Sequence, residues 1–382
     1  MRCRIVTPLL VIAALLAAAF STGSAVFLSG AVLLVLVLAF SLASVCWAAA
    51  TMTVGTDAEG QTVRRGEDMQ LAVYVRHGSL LPIAPVRLEL LAAPETPGVT
   101  VTLTDMARRQ QRLTIPFHAS HVGVSRPGVK RCTVEDLFGF FSRSWEPERA
   151  VGELLVLPTT FEVDELTFAP GDPGLGTMAR ATEDITSPSD VRTYQPGDPM
   201  KKIHWKLSLR KNDLMVRRFE EPVLPDALVL MDCSEPGYPG EAGLDVRDAL
   251  LETAASVMEG QMRSDHNIRM PLNGVHPVEV GKGMGMPLVL ENLARVDFSE
   301  TDRFDRVLML ETRRLRQMGA VVVITSHLSG RIVETMTSMR RMGPVVRLYL
   351  VTFDPEAAEI LPFVARLQRA LVEVCYVTPM HL

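Results

Sequence analysis

Two long apolar segments without charge open the chain and predict a helical hairpin in a membrane. The segments cover residues 5–20 and 26–50, and the sequence contains no charged residue between Arg4 and Asp57. The second is long enough to cross roughly 30 Å of hydrocarbon, and the first is near the lower limit of about 17 residues. We therefore predict a transmembrane hairpin over residues 1–50. A cleaved signal peptide, with two arginines ahead of a short apolar core, is the alternative for the first segment.

Short strands separated by turn residues follow over residues 51–157. Turn pairs such as Pro97-Gly98 and Pro127-Gly128 lie between them, and no long helical period interrupts them. This spacing predicts a small β-sandwich. Near its end, Asp136 and Gly139 suit a turn. The aromatic residues around that turn are expected to bury against the sandwich or the membrane face, and we assign them to packing between domains; they are Phe138, Phe140 and Phe141.

From residue 226 to residue 382 the pattern changes to runs of aliphatic residues that alternate with amphipathic helices. Such runs predict a mostly parallel sheet covered on both faces, the doubly wound α/β class. Ligands of these sheets bind beyond the carboxyl ends of the strands, which directs attention to the loops after Met231 and Thr325. We expect a multi-domain chain in which residues 158–225 form a linker and a distinctive segment ahead of this domain.

That distinctive segment, residues 191–222, combines a turn, a basic helix and a basic strand. Pro196-Gly197 suits the centre of a type II turn, and Asp198 follows where a helix N-cap belongs. Helical spacing over 199–209 and alternation over 214–221 predict a short helix and a half-buried strand. The cations of the segment are Lys201, Lys202, Lys206, Arg210, Lys211, Arg217 and Arg218.

The same segment closely resembles the signature of the DUF58 family of bacterial membrane-anchored proteins. The pattern is roughly Y-x-P-G-D-x-x-R-x-I-x-W-x-x-x-A-R followed by L-x-V-R-x-x-E. Lysine replaces its first arginine and Leu209 replaces its alanine. We expect the signature residues to form an interaction surface; the candidates are Tyr194, Pro196, Gly197, Asp198, Lys201, Lys202, Ile203, Trp205, Arg210, Arg217 and Glu220.

The α/β domain resembles von Willebrand factor A domains, to which DUF58 proteins are similar in this region. Asp232 and Ser234 match the first two positions of the D-x-S-x-S metal loop, whose oxygens suit Mg²⁺. Pro236 replaces the second serine, and Ser326-His327 stands where that motif offers another aspartate. We therefore expect no cofactor. The alternative is an Mg²⁺ site that serves a divalent-metal-dependent hydrolase or a metal-dependent adhesion-type ligand binder.

Charge and cysteine usage narrow the functions that remain. The net charge of −5 argues against a dedicated nucleic-acid binder. The five cysteines are scattered without disulfide-like spacing, which favours a reducing compartment. Arginines ahead of the first segment and at 64–65 favour cytoplasmic flanks on both sides of the hairpin. The expected location is the inner membrane, crossed twice, with both soluble domains in the cytoplasm.

Together these patterns predict a non-enzymatic membrane scaffold rather than an enzyme. The resemblance to DUF58 proteins implies a MoxR-type AAA+ ATPase as the partner. The resemblance to von Willebrand A folds implies an interaction module. For the basic segment we also weigh contact with anionic lipid, at about 1 kcal/mol per cation, and a solvated face paired with neighbouring acidic residues.

Overall fold

The computed structural model divides into two compact units, Met1–Leu157 and Pro158–Leu382. Each unit has its own helices and sheets. The structure describes residues 2–3, 6–78, 85–91, 99–104, 110–148, 150–164, 190–194, 200, 203–218, 226–263, 267–271, 278–280, 285–298, 304–312, 315 and 318–379.

The first unit begins with two contacting apolar helices, α1 (Val6–Thr22) and α2 (Ala25–Thr51). Gly23 turns the chain between them with a φ of 64°, and the Ser24 hydroxyl caps α2 by accepting the Val26 N–H. Among the described residues, α2 is the one helix long and apolar enough to cross a membrane, whereas α1 is shorter. An apolar N-terminal helix of spanning length is therefore confirmed.

Several small sheets make up the rest of the first unit. One has five strands in the order β1-β10-β9-β5-β6, and two have three strands each, β3-β11-β8 and β2-β4-β7. All pairings are antiparallel except that of β3 with β11. The strands are β1 (Arg2–Cys3), β2 (Thr53–Thr56), β3 (Gln61–Arg64), β4 (Asp68–Arg76), β5 (Val86–Leu91), β6 (Thr100–Leu103), β7 (Gln110–His118), β8 (Gly123–Ser125), β9 (Gly128–Glu135), β10 (Phe141–Trp145) and β11 (Leu154–Leu157).

Two apolar cores stabilise these sheets. One includes Ala48 near the end of α2 and Met52 just after it, packed with inward-facing residues of β5 and β9 such as Leu88 and Val134. The other lies among β3, β4, β7 and β11 and contains no residue of either helix. The end of α2 is thus an integral part of one core and takes no part in the other.

In its described residues, the second unit contains a two-stranded ribbon, a six-stranded sheet and six helices. The ribbon pairs β12 (Asp190–Thr193) with β13 (Met215–Arg218), and α3 (Trp205–Lys211) lies between these strands in the sequence. The six-stranded sheet consists of β14 (Asp226–Met231), β15 (Ile268–Met270), β16 (Val278–Val280), β17 (Met318–Thr325), β18 (Val345–Val351) and β19 (Glu373–Val377). The remaining helices are α4 (Glu241–Arg263), α5 (Met286–Ala294), α6 (Phe304–Glu311), α7 (Gly330–Arg341) and α8 (Leu361–Arg369).

The order of the large sheet, β16-β15-β14-β17-β18-β19, places the first strand beside the fourth. All neighbours run parallel except the edge strand β16. Residues such as Leu230, Val323 and Leu348 pack one face against α6, α7 and α8, while α4 contacts strands β14, β15, β17 and β18. The predicted parallel α/β sheet with helices is confirmed, and its topological switch point lies between β14 and β17.

Candidate functional site

The switch point is formed by the residues that follow β14 and end β17. Asp232 comes directly after β14, is 2% exposed, and donates its backbone N–H to the Ile324 carbonyl at 2.8 Å. Thr325, the last residue of β17, is fully buried. Parallel strands in register bring these two side chains to the same edge of the sheet.

Hydrogen bonds close the Asp232 loop. The Ser234 N–H and hydroxyl both donate to Asp232 Oδ1, at 3.0 and 2.5 Å, and the Thr325 hydroxyl donates to Oδ2 at 2.6 Å. The His327 N–H in turn donates to the Thr325 hydroxyl at 3.1 Å. Both carboxylate oxygens of Asp232 therefore accept hydrogen bonds, which offsets the cost of burying the group.

A divalent cation at this edge would draw its protein ligands from Asp232, Ser234 and Thr325. Their oxygens are hard ligands of the kind that Mg²⁺ prefers, but two donors would have to turn away from the carboxylate. Pro236, in place of a second serine, is buried and offers no side-chain oxygen. Sequence reasoning missed Thr325; its position at the end of the neighbouring strand is the signal that could have identified it.

The signature segment folds into a compact unit of β12, α3 and β13. Ser208, which is 6% exposed, links the helix to the strand because it accepts the Met215 N–H at 2.8 Å and donates to the His204 carbonyl at 3.0 Å. Ile203 forms a bridge with Val216, and both are buried. The Ser208 hydrogen bonds and the bridge between Ile203 and Val216 therefore hold α3 against β13.

The α-helix begins at Trp205, later than the start near residue 199 that helical spacing suggested. His204 is the N-cap of α3, and its Nδ1 accepts the Leu207 N–H at 3.2 Å. The His204 N–H donates to the Met215 carbonyl at 2.8 Å, which keeps this part of the chain paired with β13 and outside the helix. His204 thus has a structural hydrogen-bonding role, and the predicted cap residue Asp198 lies outside the described residues.

One side of α3 exposes large apolar and cationic side chains. Trp205 is 59% exposed and Leu209 is 82% exposed, and their four-residue spacing aligns them in one row. Lys206 and Arg210 have the same spacing and are also exposed. We call this surface, formed by Trp205, Lys206, Leu209 and Arg210, the α3 face.

The other predicted signature residues fall into two groups. The Tyr194 N–H donates to the Leu214 carbonyl at 2.7 Å, and Arg217 pairs with Val191 in the ribbon, so both belong to the β12-α3-β13 segment. The remaining predicted residues lie outside the described part of the chain; they are Pro196, Gly197, Asp198, Lys201, Lys202 and Glu220.

A buried arginine that sequence reasoning missed lies on β18. Arg347 is 4% exposed and donates to Glu373 Oε2 at 2.8 Å and to the Asp164 carbonyl at 2.5 Å. Burial acts to lower the pKa of Arg347, but hydrogen bonds to Glu373 and Tyr349 outweigh it and raise that pKa. Burial also raises the pKa of the Tyr349 phenol. The permanently charged Arg347 thus fastens the segment before the signature to the sheet.

The segment before the signature is also attached to α4. The Thr159 N–H and hydroxyl both donate to Glu252 Oε1, at 3.4 and 2.6 Å, and the Phe161 N–H donates to the Ser256 hydroxyl at 2.9 Å. Glu252 is fully buried. Residues 158–164 are therefore a structured part of the second unit rather than a flexible tether.

Comparison with known proteins identifies a family for the region that contains the α3 face and the Asp232 loop. Residues 190–369 match the family described as "Protein of unknown function DUF58". A stretch of 161 residues is 24% identical to "Uncharacterized protein YeaD" of Bacillus subtilis (strain 168) and covers 41% of this chain. That alignment spans 37% of the length of the Bacillus protein, little more than a third.

Solved structures add little. The CARDB domain of a Pyrococcus furiosus protein in complex with di-metal ions is 17% identical, with a TM-score of 0.18 over 28% of this chain and 93% of that one. A Bifidobacterium dentium beta-glucuronidase is 8% identical, with a TM-score of 0.19 over 86% of this chain and 52% of that one. At TM-scores this low, neither solved structure indicates the fold of this chain. The family match spans the β12-α3-β13 segment and the α/β region from β14 to α8. The chain is a DUF58 domain-containing protein.

Proposed function

We propose that the chain is a membrane-anchored, non-enzymatic scaffold whose second unit, a von Willebrand A-like domain, docks a cytoplasmic MoxR-type AAA+ ATPase. The observation that carries the proposal is the α3 face, which lies within the family-matched region. An exposed tryptophan beside an exposed leucine and two cations has the composition of an interface hot spot, in which Trp and Arg are enriched. Burying such a surface against a partner recovers the free energy that its exposure to water costs.

Charge supports an acidic docking partner. The chain carries a net charge of −5, yet Lys206, Arg210 and Lys211 are concentrated within seven residues of α3. Local cations on an acidic protein steer an acidic partner to one surface and accelerate association.

The Asp232 loop supports a role without catalysis. A general base or a nucleophile needs an oxygen within reach of substrate, and both carboxylate oxygens of Asp232 already accept hydrogen bonds from Ser234 and Thr325. The strand order with an antiparallel edge and an Asp-x-Ser loop at the switch point supports the likeness to a von Willebrand A domain.

The test is co-purification of the full chain with the ATPase from solubilised membranes. Reversal of charge on α3, with Lys206→Glu and Arg210→Glu together, should weaken the association by roughly tenfold or more. Trp205→Ala should weaken it further, because truncation of a hot-spot residue typically costs at least about 2 kcal/mol. The matched control is the same reversal on α8, Arg366→Glu with Arg369→Glu, which should leave the association unchanged. Failure of the unmodified chain to associate with the ATPase would refute the proposal.

A metal-dependent hydrolase or ligand binder remains the second candidate, and one observation favours it. The Thr325 hydroxyl adds a third oxygen to the Asp232 and Ser234 pair at the switch point, where ligands of such sheets bind. Titration of the full chain with Mg²⁺ or Mn²⁺ separates the two candidates. Saturable binding that is lost in Asp232→Ala would support the metal site, and its absence would support the scaffold.

A further inference from the structure

The C-terminal half of α2 carries two buried serines. Ser41 and Ser44 are 2% and 5% exposed and lie on the side that also carries the buried Val45 and Ala48. Earlier in the helix the large apolar side chains face outward, as Leu33 does at 64% exposed. The two serines therefore mark the level at which α2 leaves an apolar surrounding and joins the folded β-sheets.

The packing of α1 on α2 places that level independently. Residues 6–22 of α1 number 17, and after the tight turn the first 17 residues of α2, 25–41, run back alongside them. A Cβ added at Gly30 would lie 3.8 Å from a methyl of Leu15, which fits this alignment. At 1.5 Å per residue each arm is roughly 25 Å long. Ser41 thus lies level with the start of α1, where the apolar hairpin ends.

A turn between β9 and β10 is fixed at the same level. The Ser41 hydroxyl donates to Asp136 Oδ2, and Asp136 is 4% exposed. The same carboxylate accepts the Phe138 N–H at 3.2 Å and the Phe141 N–H at 2.8 Å. Gly139, with a φ of 72°, donates its N–H to the Asp136 carbonyl at 3.2 Å and completes the turn. Asp136 thus ties the turn rigidly to the helix.

The tip of this turn exposes two large apolar side chains. Leu137 is 56% exposed and Phe138 is 57% exposed, so Phe138 does not bury against the sandwich, and the membrane face is the expectation that stays open for it. The Phe138 ring stacks on that of Phe140 with centroids 5.8 Å apart and planes inclined by 21°. Phe141, by contrast, is 6% exposed and packs inward. The turn is therefore built to hold Leu137 and Phe138 out of the core.

We propose that residues 136–140 form an interfacial membrane contact, with Leu137 and Phe138 in the boundary between headgroups and acyl chains. The proposal rests on the membrane anchoring in the proposed function. The bilayer is the occupant because the Ser41–Asp136 bond holds the tip at the level where the outward-facing apolar surface of the hairpin ends. Trp47 follows Ser41 by six residues and is 45% exposed, which suits the aromatic belt of a membrane interface.

The experiment places a reporter tryptophan at the tip and measures quenching by brominated acyl chains. The full chain is reconstituted in bilayers of phosphatidylethanolamine and phosphatidylglycerol, with and without bromine on the acyl chains. The added quenching of Phe138→Trp is measured against the unsubstituted chain, which contributes the three native tryptophans. Leu33→Trp in α2 reports on the anchor, and Val124→Trp on β8, whose neighbour β11 packs in the core without helix residues, is the matched exposed control.

We expect loss of emission for Leu33→Trp and Phe138→Trp and none for Val124→Trp. Quenching of Leu33→Trp without quenching of Phe138→Trp would overturn the tip contact and leave the anchor intact. Absence of quenching at Leu33→Trp would refute the anchor itself. A blue-shifted but unquenched Phe138→Trp would mean that protein covers the tip, which also overturns the proposal. Leu137→Trp repeats the measurement if Phe138→Trp folds poorly.

Discussion

Asp136 and Asp232 close loops in the two units of this protein with nearly the same chemistry. Each is almost fully buried, at 4% and 2% exposed, and each accepts a backbone N–H from its own loop. Each also accepts a hydroxyl from a distant part of the chain, Ser41 at a separation of 95 residues and Thr325 at a separation of 93. In both units a buried carboxylate ties a loop to a neighbouring element.

The side chains just after the two aspartates differ in exposure to solvent. After Asp232, Cys233 and Pro236 are buried, so the loop folds back over the edge of the sheet. After Asp136, Leu137 and Phe138 project outward. The carboxylate therefore explains only why each loop is rigid. The surfaces available for contact are the side chains that remain exposed, which form an apolar tip in the first unit and the α3 face in the second.

The largest effect that we expect comes from Asp232→Ala. The substitution removes the acceptor of both Ser234 donors and leaves the buried Thr325 hydroxyl with the His327 carbonyl at 3.0 Å as its remaining acceptor, so the second unit should lose about 3 kcal/mol of stability. Denaturant unfolding of the full chain in detergent, followed by a probe in the α/β sheet, measures the loss.

Asp232→Asn is the matched control for this loss. Its amide oxygen can keep the Ser234 bonds while its NH₂ group meets the Thr325 hydroxyl, so the cost should be clearly smaller. Equal losses in both variants would contradict the account, because they would mean that charge rather than hydrogen bonding stabilises the loop. Added Mg²⁺ should not shift the unfolding midpoint of the unsubstituted chain, since a bound ion would raise it.

The class of the second unit was predictable, because aliphatic strands that alternate with helices admit few sheet arrangements. The position of Asp232 at a strand end followed from the same pattern. The contact with Thr325 did not, since a pairing across 93 residues depends on strand order, which periodicity does not encode. The same holds for Ser41 and Asp136.

The exposure of the α3 face was also beyond the sequence. Helical spacing groups Trp205 with Leu209 but cannot say which row of a short helix faces the protein. The Ser208 bonds to His204 and Met215 decide that question, because they turn a polar residue inward and leave the tryptophan outside.

A moderate effect is expected from Ser41→Ala, which tests the other side of the comparison. The substitution removes one of three donors to Asp136 and should cost the first unit about 1 kcal/mol. Hydrogen exchange at the amides of Phe138 and Phe141 should quicken, since the turn loses its tie to α2. Ser29→Ala is the control, because the Ser29 hydroxyl donates only to the Val26 carbonyl within its own helix. Unchanged exchange in Ser41→Ala would mean that Asp136 holds the turn without the helix.

The smallest effect at neutral pH concerns Cys132, four residues before Asp136 in the core behind the turn. Burial raises the pKa of this thiol from its ordinary value of 9.0 to about 12. The neutral thiol is the form that the folded state favours, so its contribution to stability is complete below about pH 9 and is lost as the pH rises toward about 12.

Alkylation and alkaline unfolding test this directly. At neutral pH a thiol reagent should spare Cys132 in the folded chain while modifying the exposed Cys46. Cys132→Val should remove part of the alkaline loss of stability in the first unit and leave stability below pH 9 nearly unchanged, because valine fills a similar volume. The same alkaline loss in both chains would show that the core behind the turn opens before Cys132 ionises.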